Sequence, residues 1–237
     1  MNTLETLFGE RLRRDEPLSR HTNWRIGGPA RYFLEAQTSD EVESAACAAV
    51  KAGVSLFILG GGSNILVSDK GFDGLVVKLA NRNASVRGTS VRAEAGVLSV
   101  LLARKTVEAG LTGFEWAVGL PGTVGGAVRG NAGCFGGEIG GAVREVEVLD
   151  IKGGCARRTF TREECGFQYR DSVFKHLEPS PVVLSVTLEL SPGEKERGEA
   201  FLRDYVSRRK EKQPTDYSSA GCVFKNFSAK GGSAFGG

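Results

Sequence analysis

The pattern of apolar and polar positions in Pro29-Ala-Arg-Tyr-Phe-Leu-Glu-Ala36 is strand-like. Thr38-Ser-Asp-Glu41 then reads as a capping box opening a helix that runs to Lys51, with Gly53 as its stop. The unbroken apolar run Val54-Ser-Leu-Phe-Ile-Leu59 predicts a buried strand, and Gly74-Leu-Val-Val-Lys-Leu79 predicts another. The three strands and the helix make a β-α-β unit of about fifty residues, a small α/β domain ending near residue 80.

A second unit begins at Val91-Arg-Ala-Glu-Ala95. Ser99 is expected to cap a helix with Val100, Leu101, Ala103 and Val107 as its apolar residues, closed by Gly110. Strand patterns recur at residues 143–151, 156–161 and 182–190, so the second half is strand-rich. A charged helix over 193–212 carries Ala200, Leu202, Tyr205 and Val206 and is stopped by Gln213-Pro214. The whole reads as α+β. Residues 228–237 are low in complexity and bury little, so the chain is expected to be interrupted rather than finished.

Composition narrows the class. At 237 residues and 41% hydrophobic, the chain suffices for one large domain or two modest ones. Its 31 Lys+Arg against 28 Asp+Glu leave +3, too balanced for a nucleic-acid partner. The dense run Arg208-Arg-Lys-Glu-Lys212 suits the solvated face of a helix. No apolar run approaches about 18 residues and no secretory leader is visible, so no membrane partner is expected. Cys47, Cys134, Cys155, Cys165 and Cys222 are odd in number and irregularly spaced, and neither His21 nor His176 joins a ligand cluster. Neither a metal site nor a disulfide framework is expected, and free thiols fit a reducing cytoplasm. Cys47, among alanines, reads as a small buried hydrophobe.

Glycine-rich loops supply the first chemical signal. They are Leu59-Gly-Gly-Gly-Ser-Asn64 and Gly119-Leu-Pro-Gly-Thr-Val-Gly-Gly-Ala-Val-Arg-Gly-Asn-Ala-Gly133. Main-chain N–H groups freed by such turns suit phosphate oxygens, and two cradles imply a diphosphate, with a dinucleotide as the candidate. Neither loop fits the P-loop or the Gly-x-Gly-x-x-Gly template, which excludes those folds. Three polar segments stand outside regular patterning: His21-Thr-Asn-Trp-Arg-Ile-Gly-Gly28, Tyr169-Arg-Asp-Ser172 and Ser218-Ser-Ala-Gly-Cys-Val-Phe-Lys-Asn226. Singly, each has a plain structural account: a satisfied histidine, an Arg170–Asp171 surface ion pair, a serine turn.

In order along residues 1–227, these loops and segments resemble the bacterial UDP-N-acetylenolpyruvoylglucosamine reductase family. The resemblance implies an FAD-binding fold of the vanillyl-alcohol-oxidase (PCMH) type. Two α+β flavin-binding subdomains (1–80 and 81–205) would precede part of a substrate-binding domain (206–237). It implies non-covalent FAD held by Gly60, Gly61, Gly62, Ser63, Asn64, Gly119, Pro121, Gly122, Thr123, Gly125, Gly126 and Asn131. Main-chain N–H groups of 60–64 and 122–126 would be the donors. NADPH would be the reductant and a UDP-sugar enolpyruvyl ether the substrate, with a monomer in the cytoplasm as the expected state. Arg170 would grip the substrate carboxylate and Cys222 would stand where the family has a serine proton donor; Tyr169, Lys212 and Asn226 would touch substrate. A thiol, with a reference pKa of about 8.5, is protonated at neutral pH and a better acid than an alcohol. The family also carries a glutamate in a Leu-Glu-Pro-Glu-like segment near its C-terminus. The chain ends before such a segment, and Glu178 of His176-Leu-Glu-Pro-Ser180 is not given that role. A flavin-binding module without catalysis therefore stays as the alternative.

Overall fold

The computed structural model describes residues 3–213, 217–219, 221 and 224–226. A short helix, α1 (Thr3–Phe8), leads into β1 (Arg13–Pro17) and β2 (Pro29–Ala36). Helix α2 (Ser39–Lys51) follows, then β3 (Leu56–Leu59) and β4 (Phe72–Leu79). The four strands form one sheet in the order β1-β2-β4-β3. Both β2 and β3 run parallel to β4, and β1 closes the other edge antiparallel to β2. Thr38 caps α2 as expected, its Oγ1 accepting from Glu41 N at 3.1 Å. The reciprocal half of the box differs: Glu41 Oε2 accepts from Gln37 N at 2.8 Å, one residue before the cap.

After β5 (Ala84–Arg87) and β6 (Ser90–Glu94) comes α3 (Ser99–Glu108), then the short β7 (Leu111–Thr112) and α4 (Val124–Gly130). A two-residue pair, β8 (Gly133–Cys134) and β9 (Gly137–Glu138), precedes β10 (Val143–Asp150), β11 (Ala156–Thr161) and β12 (Val182–Glu189). The chain then passes β13 (Ser191–Pro192), paired with β7, into α5 (Lys195–Lys212). The second sheet, β11-β10-β12-β6-β5, is antiparallel throughout. One continuous core runs from Leu34, Val42 and Leu75 through Val91 and Leu102 to Val146 and Leu188; α2 packs against strands of both sheets, and α3 against the 115–119 turn, α5 and β7.

Four expectations are corrected. The 54–59 run is an edge strand, its Phe57 exposed and edge-on to Phe72 at 6.0 Å, rather than a buried one. Ser99 lies inside α3 and Leu98 is the N-cap, without a side-chain cap bond; the buried Ser99 hydroxyl has no protein partner among the described residues. Leu101 faces solvent, and Leu102 and Thr106 take the inner face with Ala103 and Val107. Cys47 and Cys155 are not free thiols: they form a disulfide between α2 and the β10–β11 turn, their Cα atoms 5.9 Å apart. Arg157, two residues on, reaches Glu43 on the same helix at 2.6 Å and also pairs with Asp40. A covalent and an ionic tie thus hold α2 against the second sheet, 108 residues away in sequence.

Candidate flavin-binding site

The loop after β3 and the loop before α4 meet face to face. A Cβ on Gly61 would stand 2.7 Å from the Gly122 Cα, closer than such atoms approach, so only glycine permits this contact. Ser63 Oγ donates to the Pro121 carbonyl at 3.2 Å across the same seam. Gly62, at φ 65°, turns the first loop against the N-terminal segment: its side-chain position is filled by the His21 carbonyl, and its own carbonyl accepts from Asn23 N at 2.9 Å. Thus the segment 21–28 and both glycine loops, spread over a hundred residues, share one surface.

That surface offers donors. Among the described residues, the main-chain N–H groups of Gly61 to Asn64, Gly122, Thr123 and Gly126 have no protein acceptor. Thr123 Oγ1 is buried between the loops, where a Cβ on Gly60 would meet it at 2.5 Å, and it has no hydrogen-bond partner. A buried hydroxyl without a partner is costly in isolation. An anionic oxygen placed at this seam would satisfy it together with the neighbouring N–H groups. The donor set therefore fits a diphosphate.

Two residues expected among the cofactor ligands have hydrogen-bonding groups already engaged by the protein. Gly125 N–H is committed to the Ala95 carbonyl at 2.9 Å, and the neighbouring Val124 N–H to Val97 at 2.8 Å. Asn131, in left-handed conformation at the end of α4, has its side chain occupied: Nδ2 donates to Glu138 at 3.0 Å and Gln168 O at 2.8 Å, and Oδ1 accepts from Gly140 N at 3.0 Å. Its carboxamide is a brace between three loops. Gly119 and Pro121 stay in the second loop, where the Gly119 carbonyl accepts from the Arg209 guanidinium and Phe135 covers its Cα.

Arg170 sits at φ 54°, its guanidinium donating to the Gly133 carbonyl at 2.8 Å and lying over the exposed Tyr169 ring at 5.5 Å. The supposed Arg170–Asp171 pair is not made; Asp171 bonds His176 at 2.8 Å, which holds its carboxyl below the usual range. Lys175 Nζ reaches back to the Arg170 carbonyl at 2.5 Å and fixes the turn. The Lys175 pKa is lowered, first by burial and then by the positive charges of Lys225, Arg129 and Arg170, against the opposing pull of Asp171. Lys225 belongs to the C-terminal segment, so that segment and the Tyr169–Ser172 turn share one cationic field. Lys212, Lys225 and Asn226 are exposed, while Cys222 lies outside the described residues.

Arg129 escaped the sequence reading, and Arg209 entered it only within the solvated run Arg208-Arg-Lys-Glu-Lys212. Tyr205 and Arg209 are one helical turn apart, and Tyr205 stacks on Phe135 at 4.8 Å beside the second loop, a spacing that could have flagged Arg209. Cys134, beside Arg209 and Arg170, is pushed up to about 11 by burial despite both charges, so it stays a thiol at neutral pH. No group of three His, Cys, Asp or Glu residues suited to a metal occurs among the described residues. No described helix is long and apolar enough to cross a membrane.

The two sheets with their facing loops define an FAD-binding α+β flavoprotein fold, and the family described as FAD binding domain matches residues 30–158. Solved flavoprotein structures agree at the level of fold alone: Physcomitrella patens BBE-like 1 superposes with a TM-score of 0.58 at 19% identity, covering 80% of this chain and 44% of its own. The UDP-N-acetylenolpyruvoylglucosamine reductase of Caldanaerobacter subterraneus is 40% identical over 222 residues, 93% of this chain and 72% of its own length. That of Carboxydothermus hydrogenoformans is 38% identical over 90% of this chain and 70% of its own length. The crystal structure of the Thermus caldophilus enzyme (MurB) superposes with a TM-score of 0.77 at 36% identity, covering 91% of this chain and 75% of that one. The chain belongs to the UDP-N-acetylenolpyruvoylglucosamine reductase family.

Proposed function

We propose that this chain catalyses the NADPH-dependent, FAD-mediated reduction of UDP-N-acetylglucosamine enolpyruvate to UDP-N-acetylmuramate. The reaction supplies peptidoglycan precursor synthesis, and with it cell-wall growth, shape and division. The chain would act on these small molecules as a cytoplasmic monomer. The observation that carries the reading is the seam of two glycine loops around the unpartnered Thr123 hydroxyl.

FAD held between the two glycine loops would supply the hydride chemistry linking NADPH to the substrate double bond. The chain's own residues do the rest. Gly61 to Asn64, Gly122, Thr123 and Gly126 bind the diphosphate through N–H groups and one hydroxyl. As the enolpyruvyl double bond is reduced at its terminal carbon, negative charge grows on the adjoining carboxylate. Arg170, braced by Gly133 and backed by Lys175, stabilises that charge with a guanidinium that cannot lose its proton. The other alkene carbon then needs a proton, which the thiol of Cys222 supplies. Tyr169, Lys212 and Asn226 orient the substrate. The domain division near residues 80 and 205 follows the same reading.

Half-reactions test the proposal. NADPH should bleach the flavin, and anaerobic addition of the enolpyruvyl ether should restore its colour. Bleaching with no response to the ether would favour a flavin-binding module without catalysis. Two variants sharpen this. Thr123→Val is expected to weaken FAD binding about tenfold while leaving the melting temperature unchanged or higher, since no protein bond is lost. Equal FAD affinity would remove the hydroxyl from the site. Arg170→Lys is expected to slow reoxidation by substrate at least about tenfold with NADPH reduction preserved, because an ammonium cannot reproduce the planar fork. Near-normal turnover would take Arg170 out of the mechanism.

A further inference from the structure

His21 plays no part in the chemistry above, yet its side chain closes a ring of charge beneath the first glycine loop. The imidazole stacks on Phe33 of β2, centroids 4.3 Å apart, and its side chain is 7% exposed. Nε2 lies 2.8 Å from Glu16 Oε1 on β1, itself 9% exposed, and Nδ1 lies 3.1 Å from Lys78 Nζ on β4. An ammonium has donors only, so Nδ1 accepts and the ring proton resides on Nε2, facing the carboxylate. One neutral tautomer satisfies both neighbours. The circle closes through Lys78 to Glu35 Oε1 of β2 at 3.5 Å, Glu35 to Arg13 of β1 at 3.1 Å, and Arg13 to Glu16 at 3.1 Å. The Arg13 guanidinium also covers the Phe33 ring at 4.6 Å.

The main chain of His21 abuts the loop directly. Its carbonyl occupies the place of a side chain at Gly62, and two residues on, Asn23 N–H holds the Gly62 carbonyl at 2.9 Å. We propose that His21 is a positioning residue for the flavin diphosphate: clamped as the Nε2–H tautomer between Glu16 and Lys78, it fixes the backbone against which Gly62 bends and so aims the loop's N–H groups. The inference rests on the reading of that loop as the diphosphate cradle.

The test is FAD affinity of the full chain at neutral pH, followed by flavin fluorescence. His21→Phe keeps the stacking on Phe33 and should bind FAD at least about tenfold more weakly. His21→Asn restores an acceptor for Lys78 and should recover part of the affinity; it also carries the test if the phenylalanine variant fails to fold. His176→Gln, which removes the chain's other imidazole, should keep the unaltered affinity. Unaltered affinity in His21→Phe, or no recovery in His21→Asn, overturns the role of His21. Failure of the unaltered protein to bind FAD overturns the cradle reading instead.

Discussion

Cys222→Ala is expected to leave reduction by NADPH near its unaltered rate and to slow reoxidation by the enolpyruvyl ether at least about a hundredfold, the scale of a lost general acid. Lys225, three positions on, contributes to the positive field at Lys175, on the turn that also carries Arg170. Lys225 therefore lies near the proposed carboxylate grip, where a proton must arrive as charge collects. Cys222→Ser, which returns the hydroxyl found in the family, should keep substantial activity. Stopped-flow measurement of each half-reaction separates the outcomes. Equal damage to both half-reactions in the alanine variant would make Cys222 a structural residue.

Gly61→Val is expected to reduce FAD affinity by at least about a hundredfold. Its Cβ would stand 2.7 Å from the Gly122 Cα, where the obstacle is backbone and no side chain can swing aside. The loops would have to part, and donors on both sides would lose their shared target together. Gly130→Ala, with no atom within 4 Å of its added Cβ, is the matched control and should bind FAD normally. Equilibrium titration with FAD checks both variants. Tight binding by Gly61→Val would show that the seam is not where the cofactor sits.

The sequence is most legible where structure is local. Strand Pro29–Ala36, the Thr38 cap and strand Phe72–Leu79 follow from apolar patterning and a three-residue capping interval. Strand β1 was invisible because Arg13-Arg-Asp-Glu-Pro17 is almost wholly charged; Glu16 is buried there only because His21 and Arg13 meet it in space. The two glycine loops stood out by composition, but their contact joins Gly61 to Gly122, and no local pattern encodes that. The partners of Asn131 are hidden for the same reason: Glu138, Gln168 and Gly140 surround its carboxamide only in the fold. The Cys47–Cys155 bond follows from packing α2 against the second sheet, a tertiary event that spacing rules miss. Motif resemblance reached the candidate site better than periodicity did, because the motifs mark residues gathered by the fold rather than by the chain.

The most direct trial is a crystal structure of this chain grown with FAD. The diphosphate oxygens should lie within about 3.2 Å of the N–H groups of Gly61 to Asn64 and of the Thr123 hydroxyl, filling the space between the two loops. A flavin bound elsewhere, with that hydroxyl still lacking a partner, would contradict the account.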